Sequence, residues 1–447
     1  VIVLVEDAHW LDRESRHFIE QLTRYVDNYP FAVVATQRPD PDIPSLVPVA
    51  TRNSIIRLDN LDEAQVAAII ADLLDGTPAS SLVTLVASRA NGNPFFVEQV
   101  VLLLQDEGRL EEGKSGWQLS EDTELEAGFL PGNVRTLLTA RLDRLPPMVK
   151  EVVQTASVLG REFDRSVLAQ MLAYDAGLDQ SMAHANRSLI WSAMDEARYL
   201  FRHALLRDAA YDMQLRSRLR RLHLDAATAI RTVFTSDPAT HYAGLVHHYH
   251  LGEDQEDERR HARLAGQIAA EQYANESALR FFSRAIDLMP TNQEAAHCDL
   301  LLNREAVLDV MGEREKQRLD LDALKRAQHT LSLDRQVAIL LRRAEYLRTA
   351  RDYTQALDTA LTAQSIALSR GESENQIQCY HLQGRILGQM GKSVEARTPL
   401  REAVRLAQST GLDSYLPHCL YDIGIAYHQE GRNQDARPYF VEAQQGF

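Results

Sequence analysis

Tyr353-Thr354-Gln355-Ala356-Leu357-Asp358-Thr359-Ala360-Leu361-Thr362-Ala363 returns as Ser393-Val394-Glu395-Ala396-Arg397-Thr398-Pro399-Leu400-Arg401-Glu402-Ala403. It returns again as Asn433-Gln434-Asp435-Ala436-Arg437-Pro438-Tyr439-Phe440-Val441-Glu442-Ala443, each copy 40 residues after the last. Ala356, Ala396 and Ala436 hold one place in this step, and Ala363, Ala403 and Ala443 hold another. Ala344, Gly384 and Gly424 keep the same spacing, as do Leu347, Leu387 and Tyr427. Small residues at fixed places let paired helices approach closely, and the large ones fill the space between them. A repeat of this length, holding two helices, is a solenoid unit that cannot bury its apolar face alone.

Working outward, Ala278 to Asp287 reads as the second helix of an earlier unit, while the units between 291 and 335 are degenerate. The array is therefore expected from near 240 to the last residue. Helical periodicity reaches back to Val134, and 131–205 has the size and helix spacing of a winged-helix-like module. The stretch 108–130 is interrupted by Gly113, Gly116 and Gly128, with Trp117-Gln118-Leu119 as a short strand. Before it, helices are expected over 62–74, 79–90 and 94–107, the first capped by Asp62 with Gln65 as capping-box partner. The chain opens on Val1-Ile2-Val3-Leu4-Val5, a continuous apolar run that suits a parallel strand buried on both faces. A helix from about Ser15 to Asp27 leads to a second such strand, Phe31 to Ala35, the order of a βαβ unit. Ser54 to Leu58 reads as an edge strand. Val1 lies inside a strand pattern and Ala443 to Phe447 inside a helical one, so both ends read as cut and the chain as a fragment.

Composition narrows the function classes. The 447 residues allow about two to four domains. Hydrophobic residues at 45% and charged residues at 25% are the balance of a soluble globular protein. A net charge of −15 argues against a protein that mainly coats nucleic acid, because neutralising phosphates needs basic surface. Cys298, Cys379 and Cys419 are too few for a disulfide framework, so a cytoplasmic location is expected. The longest apolar run, near Val97 to Leu104, is far short of a membrane span.

Glu6-Asp7 at the end of the first strand has the form of a Walker B element. Nucleotide hydrolysis needs one carboxylate to hold the magnesium shell and another to polarise water. The carboxyl end of a parallel strand puts both at the crevice where such sheets bind ligands. Acidic residues also end strands for no such reason. Arg38, just past the second strand, is positioned to reach a phosphate bidentately, or to stand as a solvated loop arginine. Gly92-Asn93-Pro94 reads as a helix start, with Asn93 as cap and Pro94 in the first turn.

Val3-Leu4-Val5-Glu6-Asp7-Ala8-His9-Trp10-Leu11-Asp12 resembles the extended Walker B signature of STAND signalling ATPases, a branch related to Orc-like AAA proteins. Thr36-Gln37-Arg38 matches that family's sensor position, and Gly92-Asn93-Pro94-Phe95-Phe96 its Gly-x-Pro element. Leu138 to Pro146 and Ala156 to Phe163 match its entry into a winged-helix region, and Phe201 to Tyr211 the segment before its repeats. The resemblance covers about the first 225 residues, in the right order. It implies ATP and Mg2+ as cofactors, with Glu6 and Asp7 as the magnesium and water-activating pair, their division of labour open. It implies that Arg38 faces the terminal phosphate and Pro94 lies near the base, with Thr36 and Gly92 also in the nucleotide-binding set. His9 and Trp10 also match the family, and packing against the following helix is the expectation for both.

The fold expected is mainly α: a truncated α/β P-loop ATPase half-domain over 1–60, a helical lid over 61–130, and a winged-helix-like module over 131–205. Linker helices over 206–240 and a tetratricopeptide-like α-solenoid over 241–447 complete it. The function expected is that of a signal-transduction ATPase whose repeats sense a protein or small-molecule ligand and whose nucleotide state gates an effector. The alternatives are a repeat scaffold with an inactive ATPase remnant, or the regulatory half of an adenylate/guanylate cyclase or of a transcription regulator. The resemblance leaves room for a nucleotide-dependent oligomer, and neither membrane nor nucleic acid is an expected partner of this fragment. The fragment alone is expected to be inactive, because the phosphate loop (Walker A) is missing.

Three other motifs read more plainly. Gly108-Arg109-Leu110-Glu111-Glu112-Gly113-Lys114-Ser115 fits the P-loop expression, but a helix precedes it and its glutamates would repel phosphate. Arg216, Arg218, Arg220, Arg221 and His223, interleaved with Leu215, Leu219 and Leu222, suit an amphipathic helix with a solvated basic face. His247, His248 and His250 lack the spacing for a tetrahedral zinc set.

Overall fold

The computed structural model describes residues 1–24, 30–38, 54–113, 116–120, 133–172 and 177–446. The chain divides into two compact units, Val1–Leu137 and Leu138–Phe447.

The first unit opens with β1 (Ile2–Val5), α1 (Arg13–Arg24) and β2 (Ala32–Ala35). The strands pair in parallel, Ile2 beside Ala32 through Val5 beside Ala35, as two β-branched runs separated by a helix should. The helix is described to Arg24; Asp27, its expected end, lies outside the described residues. Burial on both faces does not hold. Val3, Val5 and Val33 are half-buried, while Ile2 and Leu4 are 76% and 60% exposed. Successive side chains point to opposite faces of a strand, and a single helix can cover only one of them. Ser54 to Leu58 is not a strand either, and Ile55, Ile56 and Leu58 are exposed. Among the described residues no neighbouring edge takes up its backbone hydrogen bonds, and apolar character alone does not make a strand.

Next come α2 (Glu63–Leu74), α3 (Ser80–Ala90) and α4 (Pro94–Asp106), then an antiparallel hairpin of β3 (Leu110–Gly113) and β4 (Gly116–Leu119). The capping box forms as expected: Asp62 Oδ1 accepts from Gln65 N at 2.8 Å, and Asp62 N donates to Gln65 Oε1 at 3.0 Å. Val66, Ile70, Leu82, Val86, Val97 and Leu104 make the core, with Trp117 of the hairpin packed against it.

The second unit follows α5 (Val134–Asp143) with α6 (Pro147–Leu159), β5 (Glu162–Asp164), α7 (Arg165–Leu172), α8 (Leu178–Arg187), β6 (Trp191–Ala193) and β7 (Arg198–Phe201). The three strands form an antiparallel sheet with β7 in the middle. Phe163, Trp191 and Phe201 meet beneath it with centroids 5.2 to 5.7 Å apart, and Trp191 Nε1 donates to the Met182 carbonyl. Two helices, α9 (Ala204–Asp212) and α10 (Arg216–Val233), lead into the array.

The array is a tetratricopeptide-like solenoid. It comprises α11 (Tyr242–Leu251), α12 (Gln255–Glu271), α13 (Asn275–Asp287), α14 (Glu294–Met311), α15 (Arg314–Ala327) and α16 (Leu333–Thr349). It continues with α17 (Tyr353–Arg370), α18 (Ser373–Gln389), α19 (Ser393–Thr410), α20 (Leu416–Gln429) and α21 (Asn433–Gly446). Each helix packs chiefly on its neighbours in sequence. A Cβ added to Gly384 would lie 2.4 Å from Leu400, and one added to Gly266 or Gly424 would lie 2.7 Å from Phe282 or Phe440. Ala344 and Ala360 stand in the same relation and are fully buried. In the degenerate unit, α14 and α15, that place is taken by Glu305, also fully buried. Its carboxylate accepts from Gln317 Nε2 at 2.6 Å and from the Arg342 guanidinium on α16, which also reaches Asp309. Burial raises the Glu305 carboxyl above the ordinary glutamate range, with Arg342 and Gln317 opposing it.

The glycine contacts can be tested singly. Alanine is otherwise favoured over glycine in a helix by about 1 kcal/mol. Gly384→Ala is nevertheless expected to lower the unfolding free energy, by about 1–3 kcal/mol, in urea unfolding. Combined with Leu400→Ala, the loss should be smaller than the sum of the two.

Candidate functional site

The turn after β1 is held from the end of β2. Thr36 N donates to Val5 O at 2.9 Å, Thr36 Oγ1 accepts from Asp7 N at 2.9 Å, and Thr36 O accepts from Ala8 N at 2.8 Å. One residue therefore clamps the strand end and the first two amides beyond Glu6. Asp7 sits at φ 52 and ψ 46, the left-handed region that a side chain adopts at a cost. Ala8 to Trp10 make one turn of 3-10 helix, and Arg16 Nη2 donates to the Ala8 carbonyl at 3.1 Å. Asp12 then accepts from Ser15 N at 2.7 Å, starting α1. The Asp7 side chain is 59% exposed, and Glu6 and Arg38 are exposed beside it in sequence and beyond Thr36. Among the described residues Arg38 makes no hydrogen bond or ion pair. Two carboxylates and a guanidinium at the carboxyl ends of paired parallel strands are chemically fit for a divalent cation and a phosphate.

Gly92 and Pro94 stand at another turn. Gly92 has φ 70, and a Cβ there would lie 2.5 Å from Leu61 O, so this position requires glycine. Its carbonyl accepts from Leu61 N at 2.8 Å. Asn93 Oδ1 accepts from Phe96 N at 3.1 Å with Pro94 in the first turn, so the helix-start reading is realised. Thus Thr36 is brought to Glu6-Asp7, whereas Gly92 and Pro94 are tied to Leu61. The sequence fitting the P-loop expression turns at Gly108 and enters β3, a hairpin strand; Lys114 and Ser115 lie outside the described residues.

A second polar cluster lies in the other unit. His223, read from sequence as part of a solvated basic face, is fully buried. It follows Leu222 and stands four residues after Leu219, which puts it on the apolar side of α10. Tyr211 Oη and His223 Nε2 are 2.8 Å apart, and His223 Nδ1 and His248 Nδ1 are 3.0 Å apart. One proton between those two Nδ1 atoms satisfies both of them. Burial lowers His223 to about 4 and His248 to about 3, and the neighbouring His247 adds to both effects. His250 instead meets Glu258, which Arg284 holds. No group of three or more histidine, cysteine or acidic residues is arranged for a metal among the described residues. The three thiols are buried, and burial pushes them up to about 11 or 12, far from thiolate reactivity at neutral pH. Among the described residues, no helix is long and apolar enough to cross a membrane.

No protein-family model matches the chain. It is 23% identical over 434 residues to an uncharacterized protein of Rhizobium meliloti (strain 1021), covering 91% of this chain and 40% of that protein. The chain therefore spans about two fifths of that relative's length. A STAND protein with a tetratricopeptide repeat sensor from Pyrococcus horikoshii is similar at a TM-score of 0.44 and 14% identity, covering all of this chain and 68% of that one. The P58(IPK) TPR domain is similar at a TM-score of 0.26 and 13% identity, covering 86% and 93%.

The histidine pair sets a pH dependence. Unfolded histidine titrates near 6.5, so below that pH the unfolded chain takes up protons that the folded chain refuses until about pH 4 and 3. The stability contributed by the neutral pair is full above about pH 6.5 and is lost as the pH falls. Between about pH 7 and 5 the expected loss is on the order of 2 kcal/mol per histidine, read by urea unfolding. His223→Gln with His248→Gln should flatten that profile.

Proposed function

We propose that the chain belongs to a nucleotide-gated signalling protein of the STAND type, whose helical array receives a protein or small-molecule ligand. The observation that carries this reading is the Thr36 clamp. It joins an acidic strand end, Glu6-Asp7, to the end of a parallel neighbour that leads directly to an exposed arginine. Carboxylate oxygens are the ligands magnesium takes, and magnesium bound there would neutralise phosphate charge. In this reading Glu6 and Asp7 hold the cation and orient water, and Arg38 meets the terminal phosphate. Gly92 and Pro94 approach the base from the start of α4. The helix–strand–helix–helix–hairpin order of residues 147–201 supports a winged-helix-like module between the nucleotide half and the array.

A second reading is a repeat scaffold whose nucleotide half is inert. It draws support from the array, α11 to α21, which makes up most of the second unit.

ATP binding and turnover by the full-length protein separate the two. Under the first reading, the wild type binds and hydrolyses ATP. Asp7→Ala and Arg38→Ala each lower turnover on the order of a hundredfold or more. A full-length protein that ignores nucleotide leaves the scaffold reading and the repeat surface.

A further inference from the structure

His9 differs from every other polar side chain of the strand-end turn. Its side chain is only 9% exposed, yet neither ring nitrogen has a hydrogen-bond partner among the described residues, and both are shut off from solvent. Each buried polar atom left unpaired costs about 1–3 kcal/mol. A phenyl ring would pack there without that cost, so packing alone does not explain a histidine. The imidazole lies beside Trp10, with centroids 5.2 Å apart, on a helical turn whose backbone is fixed by Thr36 and Arg16. His9 Nδ1 is 4.0 Å from Asp7 Oδ1, too far for a hydrogen bond but close enough for a small side-chain rotation to make one. Hydrogen bonds of this kind are often long before a ligand binds and tighten when it does. Asp7 itself has its amide tied to Thr36 and its backbone in the left-handed region, so the carboxylate is aimed by side-chain rotation alone.

Resting on the magnesium-nucleotide reading above, we propose that His9 is a positioning residue for Asp7. Its ring N–H donates to one carboxylate oxygen and leaves the other turned toward the cation. No proton is transferred, and the imidazole remains a donor throughout. The same contact satisfies one of the nitrogens that folding leaves unpaired.

The test is Mn2+ binding to the full-length protein in the presence of ATP, followed by electron paramagnetic resonance, alongside thermal unfolding. His9→Phe keeps a ring and removes the donor; His9→Gln keeps a donor and removes the ring. His9→Phe is expected to unfold at the same temperature as the wild type or higher, yet to bind Mn2+ about 10- to 100-fold more weakly. His9→Gln should stay within severalfold of the wild type, and Asp7→Asn with His9→Phe should bind no more weakly than Asp7→Asn alone. If His9→Phe binds Mn2+ like the wild type while Asp7→Asn does not, His9 is packing, and the proposal falls while the nucleotide reading stands. If His9→Phe does not fold, the polarity of His9 serves the fold, and the proposal falls as well. A wild type that binds no Mn2+ with ATP overturns both readings.

Discussion

The array depends on how closely two helices can approach at one point in each unit. At Gly266, Gly384 and Gly424 the facing side chain, Phe282, Leu400 or Phe440, occupies the volume that a single added carbon would need. Interiors packed to crystal-like density leave no slack for that carbon. The consequence spreads outward from the contact. With the helices this close, the second helix must present small residues along the rest of the seam, which is why Ala356, Ala360, Ala363 and Ala367 are all buried on α17. The larger residues, such as Leu340, Leu382 and Ile386, then fill the spaces above and below.

This logic explains why the solenoid is legible in the sequence. A contact between a small and a large residue leaves its mark at two places in every unit, so several position types repeat together. The strands were legible only in part. A β-branched run declares a strand and, with the intervening helix, a parallel pairing, but burial depends on what covers each face. Ile2 and Leu4 look identical in sequence whether covered or bare. Ser54 to Leu58 failed as a strand for the related reason that pairing is a property of two segments.

At the candidate site, residue types were readable and contacts were not. Glu6, Asp7 and Thr36 could be named from their places at strand ends. That Thr36 uses its amide, hydroxyl and carbonyl on the opposite turn could not, because the partners lie about 30 residues away. The histidines divide in the same way. His223 and His248 find each other across 25 residues, whereas His9, within the turn itself, is buried with nothing to bond among the described residues. A sequence shows that a histidine is present and says little about whether its nitrogens are answered.

Glu305 has a consequence for how such an array can be inherited. A unit whose key place holds glycine or alanine asks its neighbours for no charge at that place. The unit of α14 and α15 is different, because its buried carboxylate is neutralised by Arg342 from the unit that follows. Separating the two would strand a charge in the interior, at about 3–5 kcal/mol. At that place the two units are a matched pair, and lesser polar contacts, Glu345 with Arg385 and His381 with Asp422, join the units that follow.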